Sequence, residues 1–173
     1  VLLAQPNISI AVLGGVRVTN TASDTDVPVN ELTYELQSAP AGATISVSGV
    51  IEWTSALEHL NTAQSFTTVV RDNSSPAMSA TNEFTVFVGP IHNGPSIAAS
   101  IQAAVNEGGQ LNLTNPASST DIPQLDFSYQ LVGAPQGVAV DGSGVIVWVP
   151  TEAQGPSTNL FEMVVTDSGT APF

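Results

Sequence analysis

The stretch of this chain with the most chemical promise is Asp167-Ser168-Gly169-Thr170, which has the residue types of an aspartic-protease motif. That chemistry needs two carboxylates from two lobes sharing one proton. The stretch standing where the second copy should be is Asp72-Asn73-Ser74-Ser75, without the glycine. His59 and His92 are the only histidines, and both fall in segments that read as exposed loops. Neither suits a nucleophilic triad, and a zinc site would need more His or Cys than the chain contains. Three Asn-x-Ser/Thr sequons begin at Asn7, Asn73 and Asn112 and are candidate glycosylation sites, with Asn73 in the clearest turn. These motifs predict a chain that is not an enzyme.

Composition narrows the partners further. Two arginines and no lysine face 15 acidic residues, a formal charge of -13. Nucleic-acid binding requires a basic patch, and two arginines do not make one. Anionic membrane surfaces repel such a chain, and no apolar run is long enough for membrane insertion. Divalent or basic partners are the electrostatically favoured ones. Without cysteine there is no disulfide framework and no thiolate metal site. Without lysine there is no Lys–Asn isopeptide crosslink, so any polymer of this chain alone is non-covalent or linked by other chemistry. The absence of a starting Met leads us to expect a mature or excised segment of something larger.

The elements that position these residues come in two copies at an offset of 95. Ala22-Ser23-Asp24-Thr25-Asp26-Val27-Pro28 returns as Ala117-Ser118-Ser119-Thr120-Asp121-Ile122-Pro123. Gly49-Val50-Ile51-Glu52-Trp53 returns as Gly144-Val145-Ile146-Val147-Trp148, and Phe66, Val69-Val70 and Asp72 return as Phe161, Val164-Val165 and Asp167. Short β-branched or aromatic runs at 33–36, 44–47, 66–70 and 84–88 are separated by turn residues such as Ala39-Pro40-Ala41-Gly42. The spacing predicts an all-β chain: two tandem Greek-key β-sandwiches of about seven strands each, over 1–89 and 96–173, with 90–95 as a short stiff linker. Residues 55–60 have helical character for one or two turns. The first copy ends with a strand over 84–88 whose counterpart would fall beyond Phe173, so the second copy is expected to lack its last strand. Either the array is truncated, or a neighbour donates the strand, with Val1-Leu2-Leu3-Ala4-Gln5 as a candidate donor.

The pattern Asp24-Thr25-Asp26, Leu32-Thr33-Tyr34-Glu35-Leu36, Ala39-Pro40-Ala41-Gly42, Gly49-Val50-Ile51-Glu52-Trp53 and Val69-Val70-Arg71-Asp72-Asn73 resembles the Ig-like modules of microbial surface proteins. These are similar to the dystroglycan-type cadherin-like domains. Gly144-Val145-Ile146-Val147-Trp148-Val149-Pro150-Thr151 and Val164-Val165-Thr166-Asp167-Ser168-Gly169 repeat it, so the resemblance covers nearly the whole chain. It implies an extracellular, cell-surface Ig-like or cadherin-like sandwich used as a spacer, adhesion module or accessory domain of an enzyme. It also implies that the segment carrying Asp167 is an ordinary loop between strands.

The resemblance further implies calcium. Cadherin-like modules hold Ca²⁺ with an Asp-x-Asp before the Tyr strand and an Asp after the penultimate strand. The matching residues are Asp24, Asp26 and Asp72 in copy one, and Asp121 and Asp167 with Asn93 in copy two, where Ser119 replaces the first Asp. The alternative is that these aspartates cap turns through Asx hydrogen bonds. Glycan binding would need exposed aromatics, yet Trp53 and Trp148, Tyr34 and Tyr129, and Phe66 and Phe161 recur at matched positions, as core residues do. The expected role is a non-catalytic structural or adhesive segment of a surface stalk or filament, partnered by copies of itself or adjacent repeats. The alternative is a carbohydrate-binding or spacer module of a secreted enzyme.

Overall fold

A computed structural model describes residues 1–169. The chain folds into two compact units, Val1–Pro90 and Ile91 onward. Thr170, the last residue of the protease-like stretch, lies outside the described residues.

Unit 1 has seven strands: β1 (Ile8–Ala11), β2 (Gly15–Thr19), β3 (Leu32–Ser38), β4 (Thr44–Ile45), β5 (Val50–Thr54), β6 (Thr62–Asp72) and β7 (Ser79–Gly89). They form a four-stranded sheet in the order β1-β7-β6-β3 and a three-stranded sheet in the order β2-β5-β4. All pairs are antiparallel except β1 with β7, which runs parallel. Alternation directs Val16, Val18, Ile51 and Trp53 of one sheet and Phe66, Val70, Phe84, Val86 and Val88 of the other into a shared core. Trp53 meets Phe66 edge-on at 5.6 Å across the sheets, and Phe66 stacks on Phe84 at 4.9 Å. The Trp53 indole N–H donates to the Ala41 carbonyl at 3.1 Å, which satisfies its polar tip inside the core.

Unit 2 repeats this plan with five strands among the described residues: β8 (Leu111–Thr114), β9 (Phe127–Val132), β10 (Ala139–Val140), β11 (Val145–Trp148) and β12 (Glu162–Asp167). They make one sheet in the order β10-β11-β8 and a two-stranded β12-β9 sheet. The two units share their corner chemistry. Tyr34 and Tyr129 each accept a backbone N–H, from Ala22 and Ala117. Gly49 and Gly144 adopt φ of 78° and 79°. A Cβ at Gly144 would lie 2.6 Å from the Asn115 carbonyl oxygen and 2.9 Å from the Tyr129 ring, so glycine is required there.

The described residues of the two units differ in three respects. In unit 1, Thr62–Phe66 of β6 pair with β7 alone, because β3 reaches only Thr67–Asp72. Strand β1 likewise pairs only with β7. The counterpart of β7 would fall at 174–184, outside the described residues. Consistently, β12 runs only as far as its pairing with β9, the counterparts of Thr62–Phe66 (157–161) form no strand, and neither do the counterparts of β1 (103–106). Eleven hydrophobic side chains are buried in unit 1 and two, Ile146 and Trp148, among the described residues of unit 2. Phe66 is fully buried while Phe161 is half-buried, and Val69 is buried while Val164 is 43% exposed.

Residues 91–96 lie along 118–122 within unit 2. Ile91 and Ile122 exchange both backbone hydrogen bonds, and so do Ser96 and Ser118. Val1 and Ser23 make the matching exchange in unit 1. Leu3 then donates to Thr21, and Gln5 reaches Asn82 and Thr19. Residues 1–5, considered above as a donated strand, are thus already hydrogen-bonded in their own unit. The helical segment expected over 55–60 is a single 3-10 turn, Leu57–His59.

Candidate metal centres

The loops that the repeat places in register gather carboxylates in each unit. In unit 1, Asp24 and Asp26 follow the segment paired with residues 1–3, and Asp72 ends β6. One carboxylate oxygen from each lies within 4.8 Å of the other two. They line a depression of about 190 Å³ together with Val1, Arg71 and Met78. Asx turns and clustering coexist here. Asp26 N–H donates to Asp24 Oδ1 at 2.7 Å, and Asn30 Nδ2 donates to Asp26 Oδ2 at 2.9 Å. Asp72 Oδ1 accepts from the Ser74 hydroxyl at 2.7 Å, Met78 N–H at 2.8 Å and Ser74 N–H at 3.1 Å. These bonds, the Ser74 hydroxyl first, hold the Asp72 carboxyl below the ordinary carboxylate value. All the donors are oxygens, which suits a hard cation such as Ca²⁺.

The cluster in unit 2 has a different donor set. Asp121 and Asp167 are both buried, and His92 joins them, with one ligand atom from each within 4.8 Å of the others. His92 Nε2 lies 3.2 Å from Asp167 Oδ1. Asn93 stands beside this group. Its N–H donates to Asp121 Oδ1 at 2.6 Å and its side-chain amide donates to Thr120 Oγ1 at 2.9 Å, so Asn93 positions the loop. Ser119, standing where unit 1 has Asp24, donates to Asp121 Oδ2 at 2.8 Å. Asp167 Oδ1 accepts from Gly169 N–H at 2.8 Å, as Asp72 accepts from Ser74. A Cβ at Gly169 would clash with the His92 ring, which explains the glycine of the protease-like stretch.

Sequence reasoning passed over His92 because its partners lie 29 and 75 residues away and it has no counterpart between Val1 and Pro90. Its one visible signal was adjacency to Asn93. The exposed-loop reading of both histidines is corrected. His92 is half-buried in this cluster. His59 is half-buried too: its Nδ1 accepts Ala56 N–H at 2.8 Å, closing the 3-10 turn, and its ring packs edge-on to Trp53 at 5.0 Å. Gln154 performs the same cap in unit 2, accepting Thr151 N–H at 2.9 Å.

The remaining candidates are dispersed. Trp53 and Trp148 are 3% and 8% exposed, so neither offers a stacking face. Asn7, Asn73 and Asn112 are exposed, and each side-chain oxygen accepts a hydrogen bond, from Thr85, Glu31 and Gln110. Among the described residues no helix is long and apolar enough to cross a membrane.

No protein-family profile and no curated protein matches this chain. Solved structures do. Protocadherin gamma B2 extracellular cadherin domains 3–6 align over 99% of this chain and 49% of that one, at 18% identity and a TM-score of 0.51. The protocadherin gamma B7 EC3–6 cis-dimer structure aligns over 99% and 48%, at 17% identity and a TM-score of 0.51. Mouse cadherin-23 EC22–24 aligns over 97% and 58%, at 22% identity and a TM-score of 0.49. The chain spans about half the length of the two protocadherin chains. At these identities the likeness concerns the fold: an all-β, cadherin-like Greek-key architecture.

Proposed function

We propose that this chain is a non-catalytic structural or adhesive segment of an extracellular, cell-surface stalk or filament. In this reading unit 2 is completed at the outer edge of β12 by a strand of β7 type. The observation that supports it is the outer edge of β12, which pairs with no strand among the described residues. Strand β12 stops where β9 stops pairing it, and Ala103–Asn106 and Ser157–Phe161, which stand at the positions of two paired segments of unit 1, pair with no strand among the described residues. An unpaired edge beside half-buried core residues favours strand addition. The 95-residue offset sets the register: an incoming strand runs antiparallel to Ser157–Thr166 and parallel to Ala103–Asn106, as β7 does to β6 and β1. When a neighbouring copy supplies the strand, assembly is head-to-tail. Because residues 1–5 are engaged in unit 1, donation by that segment costs its pairing with 19–23.

Asp24, Asp26 and Asp72 support Ca²⁺ binding in unit 1, where the ion would neutralise three converging carboxylates and tie the 24–26 loop to the end of β6. The carbohydrate-module alternative lacks support, since the repeated tryptophans are buried.

Light scattering over a range of concentrations, with and without a peptide of sequence Ser79–Gly89, tests the reading. Growth of oligomers with concentration, capped by the peptide, is the expected result. A monomer that binds the peptide one-to-one keeps the acceptor edge and removes self-assembly. A monomer indifferent to the peptide overturns the acceptor edge.

A further inference from the structure

The unit 2 cluster does not fit the cation that its counterpart in unit 1 fits. Ca²⁺ takes six to eight oxygen ligands, and imidazole is not among its preferred donors. Between the two units one carboxylate, Asp24, has become Ser119, and a ring nitrogen, His92 Nε2, has entered. The donor set has changed from three carboxylates to one imidazole and two carboxylates. We propose that His92, Asp121 and Asp167 form a site for a borderline divalent transition cation of the Zn²⁺ class, selective against Ca²⁺.

Four observations carry the assignment. First, imidazole favours Zn²⁺ and its neighbours in the transition series, whereas all-oxygen sets favour Ca²⁺ and Mg²⁺. Second, the spacing is compact. Ligands about 2.1 Å from a metal stand about 3.0 Å apart at octahedral and about 3.4 Å apart at tetrahedral angles. His92 Nε2 and Asp167 Oδ1 are 3.2 Å apart, and all three ligand atoms lie within 4.8 Å. Third, the Asp167 side chain is 0% exposed and pairs with His92, and Asp121 is buried beside them, so one ring nitrogen and two carboxylates converge inside the protein.

Fourth, the ligands are held by their own partners, as metal ligands commonly are. Asn93 N–H and the Ser119 hydroxyl fix the two oxygens of Asp121, and Gly169 N–H fixes Asp167 Oδ1. Gly169 also leaves the room that the His92 ring occupies. The requirement for further His or Cys, which spoke against zinc at the level of sequence, is met by carboxylates from two distant loops. Water would complete the coordination. The bound ion would fasten the entering segment at His92 to the 119–121 loop and the end of β12, three pieces of chain within unit 2.

The test uses the whole chain, stripped with EDTA, with Asp24→Asn and Asp26→Asn introduced to silence unit 1. Titration with Co²⁺ is expected to give a visible ligand-field band saturating at one ion per chain. Zn²⁺ should bleach the band, and millimolar Ca²⁺ should leave it intact. His92→Asn should weaken Zn²⁺ binding by at least about 100-fold, the upper range for merely disturbing a ligand's support, while His59→Asn leaves it unchanged. Because His92→Asn could disturb folding, imidazole NMR of the protein carrying His92 provides a second readout: Zn²⁺ should shift the His92 ring signals and not those of His59. Displacement of Co²⁺ by equimolar Ca²⁺, unchanged affinity in a folded His92→Asn protein, or an unmoved His92 resonance would each overturn the assignment.

Discussion

Phe66 and Phe161 occupy the same position of the repeat, yet truncating them should have unequal consequences. Phe66 is fully buried, stacked on Phe84 at 4.9 Å and edge-on to Trp53 at 5.6 Å. Its replacement by Ala removes a whole buried ring and two aromatic contacts, a cost of about 3–5 kcal/mol. Phe161 is half-buried and sits in the 157–161 stretch that lacks strand pairing. Removing a ring that is only partly buried costs less, about 1–2 kcal/mol. Hydrogen exchange read by mass spectrometry separates the units, because peptides covering Phe84–Val88 and Val145–Trp148 report on each independently. Phe66→Ala should lower protection of the first peptide by about 3–5 kcal/mol, more than the free energy that Phe161→Ala removes from the second. Adding the Ser79–Gly89 peptide should then raise the cost of Phe161→Ala toward that of Phe66→Ala. Equal costs without peptide would refute the claim that Phe161 is less tightly packed than Phe66.

Other substitutions test the smaller devices. Gly144→Ala forces a Cβ against the Asn115 carbonyl and the Tyr129 ring at φ 79° and should cost about 1–3 kcal/mol, whereas Gly142→Ala meets nothing and should be neutral in the same urea titration. His59→Ala removes the cap on Ala56 N–H and should cost about 1 kcal/mol, while His59→Gln, which copies Gln154, should recover most of it in thermal melts. The Asp141 carboxyl is held below its ordinary value of 3.8 by the Val145 N–H, then by the Ser143 hydroxyl and N–H. A depressed folded-state value stabilises above the unfolded one, and the contribution disappears as pH falls through the folded value. Asp141→Ser, which copies Ser46 of unit 1, should therefore differ from wild type in urea stability above pH 4, with the gap shrinking as pH falls below 3.8.

Much of the fold was legible because the repeat doubled every local signal. Strands β3, β6 and β7 follow from alternating apolar residues, and Gly49 with Gly144 marked hairpins twice. The parallel pairing of β1 with β7 was not legible, since Ile8–Ala11 acquires a partner only through residues about 78 positions away. The carboxylates Asp24, Asp26 and Asp72 could be named as a group from the family pattern. The role of His92 could not, because a lone histidine carries no period, and its partners meet only when residues 91–96 lie along 118–122. Asn93, named with the acidic residues from the family pattern, donates its N–H to Asp121 and its amide nitrogen to Thr120.

The most direct measurement is backbone amide exchange over Ser157–Thr166 of the unmodified chain, with and without the Ser79–Gly89 peptide. An open acceptor edge predicts fast exchange over 157–161 in the free chain and strong protection across the segment once the peptide is bound. Protection already present in the free monomer, or exchange unmoved by saturating peptide, would contradict it.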